Sequence, residues 1–146
     1  MISNKHLKAK VTLGTNYWDN KRVCELLFPL LNPGARVVNV SSLVGALGNL
    51  IKWGGNKARA EGLFKTLSDP RLSLETLDML MRNFEETAQT ESHKEAGWPP
   101  STYLVSKIGW SALSRYFLTL DKRVELDRGV DRVKPWFMVH GLAHGL

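Results

Sequence analysis

A single cysteine, Cys24, serves the whole chain of 146 residues, so no internal disulfide framework can staple it and a reducing compartment is expected. Long apolar runs are missing too: nothing approaches the roughly 18 residues that a membrane span requires. The opening residues Met1-Ile2-Ser3-Asn4-Lys5-His6 lack the apolar stretch of a secretory signal, and the cytoplasm is the expected location. A dense basic run is also lacking. The 20 Lys and Arg against 14 Asp and Glu give a net charge of +6, but they are dispersed and not interleaved with aromatics. That distribution describes a solvated surface and argues against a nucleic-acid partner. No internal repeat is evident.

What is present is the composition of one globular domain with a core, 43% hydrophobic and 23% charged. From about His6 to Leu31 the apolar positions Leu7, Val11, Leu13, Tyr17, Val23, Leu26, Leu27 and Leu30 recur at helical spacing, and Asn32-Pro33-Gly34 ends the run. Residues 36–41 follow as a short β-branched strand, apolar on both faces as in the middle of a parallel sheet. Helices are predicted over 56–67 and 74–89, the second opened by Ser73-Leu74-Glu75-Thr76. After the rigid turn Gly97-Trp98-Pro99-Pro100, a long helix runs from Ser101 or Thr102 to about Leu120, with Leu104, Ile108, Ala112 and Leu113 on its buried side. Beyond Asp121 the pattern dissolves, and Pro135-Trp136-Phe137-Met138-Val139 is a weak strand candidate. A strand buried on both faces needs neighbours for its backbone groups. The chain therefore reads as part of an α/β sheet, mostly helical, with one credible parallel-type strand.

Two segments carry chemistry. Ser41 and Ser42 stand at the C-terminal end of the strand, where open α/β sheets bind ligands, and a hydroxyl there can polarise a carbonyl oxygen. Tyr103 and Lys107 lie one helical turn apart on a common face. An ammonium beside a phenol favours the phenolate and suits the pair to general acid–base work. Spacing alone does not decide this, because Tyr17-Trp18-Asp19-Asn20-Lys21 repeats it inside the amphipathic first helix, where an aromatic serves the core and no strand-end hydroxyl precedes it. Two further strings are discounted. Lys52-Trp53-Gly54-Gly55-Asn56 follows no predicted strand and has Ala58 and Ala60 where a phosphate-binding turn needs glycines. His140 and His144 have a zinc-compatible spacing but no third ligand, so no metal is expected. Cys24 reads as a small core residue.

Gly34 to Ser42 and Gly97 to Gly109, the latter containing Tyr103-Leu104-Val105-Ser106-Lys107, resemble the short-chain dehydrogenase/reductase family, and within it the monomeric NADPH-dependent carbonyl reductases. Lys10 to Trp18 is similar to the family's helix ahead of the Ser strand. The likeness runs over about residues 7–120. It implies an incomplete Rossmann-type fold: a partial catalytic domain over 1–126 with a helical insertion at about 45–97, then a divergent tail over 127–146. It implies NADPH-dependent reduction of a ketone, aldehyde or quinone, a small-molecule carbonyl. Tyr103 would be the general acid, Ser42 would hold the carbonyl oxygen, and Lys107 would act on Tyr103 and on the nicotinamide ribose. Asn16 would place a water in the proton relay, and Tyr103 and Lys107 together would contact the cofactor. For Ser41 the expectation is a hydroxyl that ties down the strand end.

The long interval between Ser42 and Tyr103 resembles the subgroup in which inserted helices cover the surface that other members use to dimerise, so a monomer is expected. Trp98 would lie near the pocket mouth or serve in packing. On the family's pattern a strand and Gly-rich turn cradling the pyrophosphate would precede the matched region, and a further strand with a Pro-Gly turn would follow it. This sequence is expected to start after the first, and its tail from Asp127 to Leu146 does not resemble the second. The alternative reading is accordingly a catalytically inactive truncated reductase fragment or an interaction module.

Overall fold

The computed structural model describes residues 4–32, 35–128, 133–139 and 142–143. Pro33 and Gly34 of the first predicted turn, and the His140/His144 pair, lie outside the described residues. The first helical stretch is α1 (Asn4–Leu13), a π-helical turn (Gly14–Asp19), α2 (Asn20–Leu27) and a short 3-10 turn (Phe28–Leu30). Then come β1 (Ala35–Val40), a 3-10 turn (Leu43–Gly45), α3 (Gly48–Trp53), α4 (Lys57–Ser68) and α5 (Leu74–Gln89). The chain continues with α6 (Thr102–Arg128), β2 (Val133–Val139) and β3 (Leu142–Ala143).

Local chemistry sets several boundaries. Asn56 caps α4 by accepting from the Arg59 amide at 3.2 Å, and Ser73 caps α5 by accepting from Thr76 at 3.0 Å. Gly97 has φ +94°, and a Cβ there would stand 2.7 Å from the Ala60 nitrogen, so the turn into Trp98 and Pro99 requires glycine twice over. Helix α6 runs past the expected end near Leu120. Lys122, Arg123, Glu125 and Leu126 are all good helix formers, and a helix does not need an apolar stripe to continue.

The weak candidate near Pro135 is a strand after all, and it pairs parallel to β1 from Ala35 opposite Val133 to Val40 opposite Met138. Strand β3 joins β2 antiparallel only at Met138 and Val139. Pro135 thus stands where β2 has one neighbour among the described residues, which is where a residue without an N–H is tolerated in a sheet.

The core lies between α1, α5 and α6, around Leu13, Tyr17, Met81, Phe84, Ile108 and Leu113. The four positions expected on the buried side of α6 are all buried. Two expectations need correction. Strand β1 is not covered on both faces: Val37 and Asn39 turn inward, while Arg36, Val38 (53% exposed) and Val40 (60%) face out, and no described element covers them. The apolar stripe of α1 and α2 is likewise only partly used. Ala9, Leu13, Tyr17 and Cys24 are buried, but Leu7, Val11, Val23, Leu26, Leu27 and Leu30 are exposed. An apolar stripe is buried only as far as a partner reaches, and α5 and α6 reach one side of this one.

Candidate active site

Helix α6 organises the predicted residues. Tyr103 and Lys107 stand one turn apart at its start, with the Lys107 Nζ 5.8 Å from the centre of the Tyr103 ring. Tyr103 is half exposed, and neither side chain is taken up by a protein hydrogen bond among the described residues. Asn16 reaches α6 from the π-helical turn: its Nδ2 donates to Ser106 Oγ at 3.0 Å, and Ser106 Oγ donates in turn to the Tyr103 carbonyl at 2.8 Å. Asn16 is thereby fixed one step from Tyr103 through a fully buried serine.

The strand end reaches the same helix by three contacts. Ser41 Oγ lies 3.0 Å from Ser111 Oγ, which ties down the strand end as expected. The indole Nε1 of Trp110 donates to the Val40 carbonyl at 3.1 Å. Gly45 rests directly on α6, where a Cβ would fall 2.7 Å from the Lys107 carbonyl oxygen and 2.8 Å from Ser111 Oγ. Ser42, extended at φ −144° and ψ 153°, caps the 3-10 turn by accepting from the Val44 amide at 3.4 Å. Asn49 holds the next turn by donating to the carbonyls of Leu43 (3.2 Å) and Val44 (2.9 Å). The structure therefore brings Asn16 and the Ser42 turn onto α6 beside Tyr103 and Lys107. It forms no hydrogen bond from Ser42 to Tyr103 among the described residues.

The look-alike pair has a different environment. Tyr17 is fully buried, and its hydroxyl donates to Asp78 Oδ1 at 2.8 Å. The ammonium of Lys21 pairs with the other oxygen of Asp78, and with Glu25 at 3.5 Å. Burial, then the bond to Asp78, then the charges of Asp78 and Glu25 push the Tyr17 phenol far above its ordinary range, so it stays protonated. For Lys21, burial pulls the value down, but the two carboxylates outweigh it and raise it.

With the Ser strand and the Tyr103/Lys107 helix in place, likeness to known proteins becomes decisive. The chain is 34% identical over 128 residues to carbonyl reductase (NADPH) 1 of Bos taurus, covering 88% of this chain and 43% of that one. It is 38% identical over 125 residues to carbonyl reductase (NADPH) 3 of Mus musculus, covering 84% and 42%. It superposes on salutaridine reductase from Papaver somniferum with a TM-score of 0.70 and 28% identity, over 96% of this chain and 44% of that one. The chain belongs to the short-chain dehydrogenase/reductase family. It also superposes on menthone neomenthol reductase from Mentha piperita, with a TM-score of 0.64 and 27% identity. No family model matches it. The chain spans less than half the length of these relatives, and its Rossmann-type fold is represented over that part. No described helix is long and apolar enough to cross a membrane.

In this short-chain dehydrogenase/reductase the glycine string after the Ser strand has structural duties. The Gly55 amide donates to the Trp98 carbonyl at 3.4 Å and the Asn56 amide to the Lys94 carbonyl at 2.8 Å, so these donors are already spent. Trp98 is not at a pocket mouth. It is fully buried, donates from Nε1 to Asn83 Oδ1 at 3.0 Å, and meets Phe84 edge-on at 5.6 Å. Cys24 is buried, and burial with the Glu25 charge pushes its thiol up to about 11. Sequence reasoning missed Ser106, Trp110 and Gly45. Trp110 had a usable signal, since it follows Tyr103 and Lys107 on the same helical face.

Proposed function

We propose that Asn16, Ser42, Tyr103 and Lys107 form the reducing site of an NADPH-dependent carbonyl reductase acting on ketones, aldehydes or quinones. The observation that carries this reading is the hydrogen-bonded line from Asn16 through Ser106 to the backbone carbonyl of Tyr103, on the helix where the Ser42 loop is seated. The carbonyl reductases named among its relatives support the substrate class.

The residues fit the nicotinamide end of the cofactor. The Tyr103 hydroxyl and Lys107 ammonium are uncommitted among the described residues and would hold the ribose hydroxyls. The amides of Gly55 and Asn56 do not fit the pyrophosphate, because carbonyls of this chain already occupy them. When bound, NADPH supplies hydride to the carbonyl carbon. The Tyr103 hydroxyl donates its proton to the carbonyl oxygen, and Lys107 stabilises the phenolate left behind. Ser42 Oγ accepts from Val44, which leaves its own proton to polarise the carbonyl. Asn16 spends its Nδ2 on Ser106, which leaves its Oδ1 to hold a water that returns a proton.

The helices within 45–97 are read as the insertion that favours a monomer, residues 1–126 as the catalytic part, and the cytoplasm as the location. A second reading, an inactive fragment or an interaction module, is favoured by the outward-facing Val38 and Val40. NADPH oxidation with menadione, alongside direct NADPH binding, separates the two. Turnover that disappears in Tyr103→Phe upholds the reductase. A folded chain with neither binding nor turnover upholds the second reading.

A further inference from the structure

Asn16 occupies an unusual place. It sits in six π-helical residues, Gly14–Asp19, between two ordinary helices. A π-helical segment is rare, and short ones cluster at functional positions because they redirect one side chain without ending the helix. Such a turn needs something to hold it, and here the holder is α5. Tyr17, the residue after Asn16, sends its buried hydroxyl to Asp78 Oδ1 at 2.8 Å. One turn on, Lys21 pairs with Asp78 Oδ2. Trp18 donates from Nε1 to Glu85 of α5 at 3.1 Å, with the Arg82 guanidinium 5.3 Å over its ring. While these two neighbours are drawn toward α5, Asn16 is left pointing at Ser106 of α6.

We propose that Asp78 is a positioning residue for Asn16: by gripping Tyr17 and Lys21 it locks the π-helical turn in the setting that places the Asn16 amide on Ser106. This rests on the reductase reading for its purpose, but the coupling itself is independent of turnover. Asp78 touches neither Tyr103 nor Lys107. Its influence runs through the turn.

The test uses the full, isotope-labelled chain and follows the Asn16 side-chain amide by NMR together with backbone amide exchange. In Asp78→Ala the Asn16 side-chain signals shift, and exchange over residues 14–19 quickens about tenfold or more, while amides of α4 keep their rates. Asp78→Asn keeps an acceptor for the Tyr17 hydroxyl but not the charge for Lys21, and it restores part of the wild-type pattern. Tyr17→Phe keeps the ring in the core and removes only the hydroxyl, so it reports even if Asp78→Ala does not fold. It too shifts the Asn16 signals. Unchanged Asn16 signals in either folded variant overturn the proposal, as does faster exchange spread evenly over α4 and α5. Where the wild-type chain turns over, kcat falls in Asp78→Ala with KM for the carbonyl little changed. A wild-type chain without turnover removes the reductase reading and leaves the Asn16 signals to decide this one.

Discussion

The two Tyr-x-x-x-Lys pairs share spacing and differ in everything that decides their use. Tyr103 is half exposed, with Lys107 beside it and no carboxylate bonded to either among the described residues. Tyr17 is fully buried, bonded to Asp78, and its Lys21 is neutralised by Asp78 and Glu25. An i, i+4 relation makes two side chains neighbours, but the third group they meet sets their chemistry. A carboxylate turns the pair into a clamp. Where no carboxylate meets it, the pair keeps both polar heads uncommitted.

Exchanging the hydroxyls tests this contrast most severely. Tyr103→Phe is expected to lower NADPH-dependent carbonyl reduction by about 10²–10⁴-fold, the usual worth of a general acid, with the thermal midpoint unchanged. A variant that melts early would give Tyr103 the same duty as Tyr17. Next in size is the cation. Lys21→Met leaves Asp78 without its counter-charge in a mostly buried setting and should cost about 1–3 kcal/mol in denaturant titration. Lys107→Met, with no carboxylate to strand, should cost less than about 0.5 kcal/mol. Tyr17→Phe follows at about 1 kcal/mol, since the ring stays and one hydrogen bond is lost.

The least effect near neutrality belongs to pH. The folded chain holds the Tyr17 and Cys24 protons above their ordinary values of 10.0 and 9.0. Their contribution is complete below pH 9.0. As pH climbs past those values, the unfolded chain releases protons that the folded chain keeps, and stability falls. Melting curves from neutrality to about pH 11 should show that decline, and Tyr17→Phe should flatten it. A decline that Tyr17→Phe leaves untouched would mean the phenol is not the group concerned.

Much of this contrast was readable beforehand, because it rests on local signals. Ser73 is a capping hydroxyl three residues before Thr76, and α5 starts where the sequence places it. Tyr17 was discounted because it sits on an amphipathic helix, and it is indeed in the core. The π-helical turn was not legible, since in Gly14-Thr15-Asn16-Tyr17-Trp18-Asp19 only Gly14 interrupts the helical pattern and the shape depends on contacts with α5 and α6. The exposed faces of β1 and α2, uncovered among the described residues, escaped for the same reason: periodicity says which residues could be covered, never whether a cover exists. Pro135 weakens the sequence signal for β2, because a proline is ordinarily kept out of strand interiors, and it is tolerated where β3 pairs with β2 only at Met138 and Val139.

Helix α6 serves as the datum from which the candidate site is measured. Asn16 is referred to Ser106, the Ser42 turn to Lys107, and the strand end to Trp110 and Ser111. A helix advances about 1.5 Å and turns about 100° with each residue. One residue gained or lost between Tyr103 and Ser111 would therefore swing these reference points to different sides of the helix and scatter the groups that depend on them. The same change in the connection between α4 and α5 would leave them in register. Tolerance to insertion is thus set by position along one helix, and the stretch least able to change length is only about two and a half turns long.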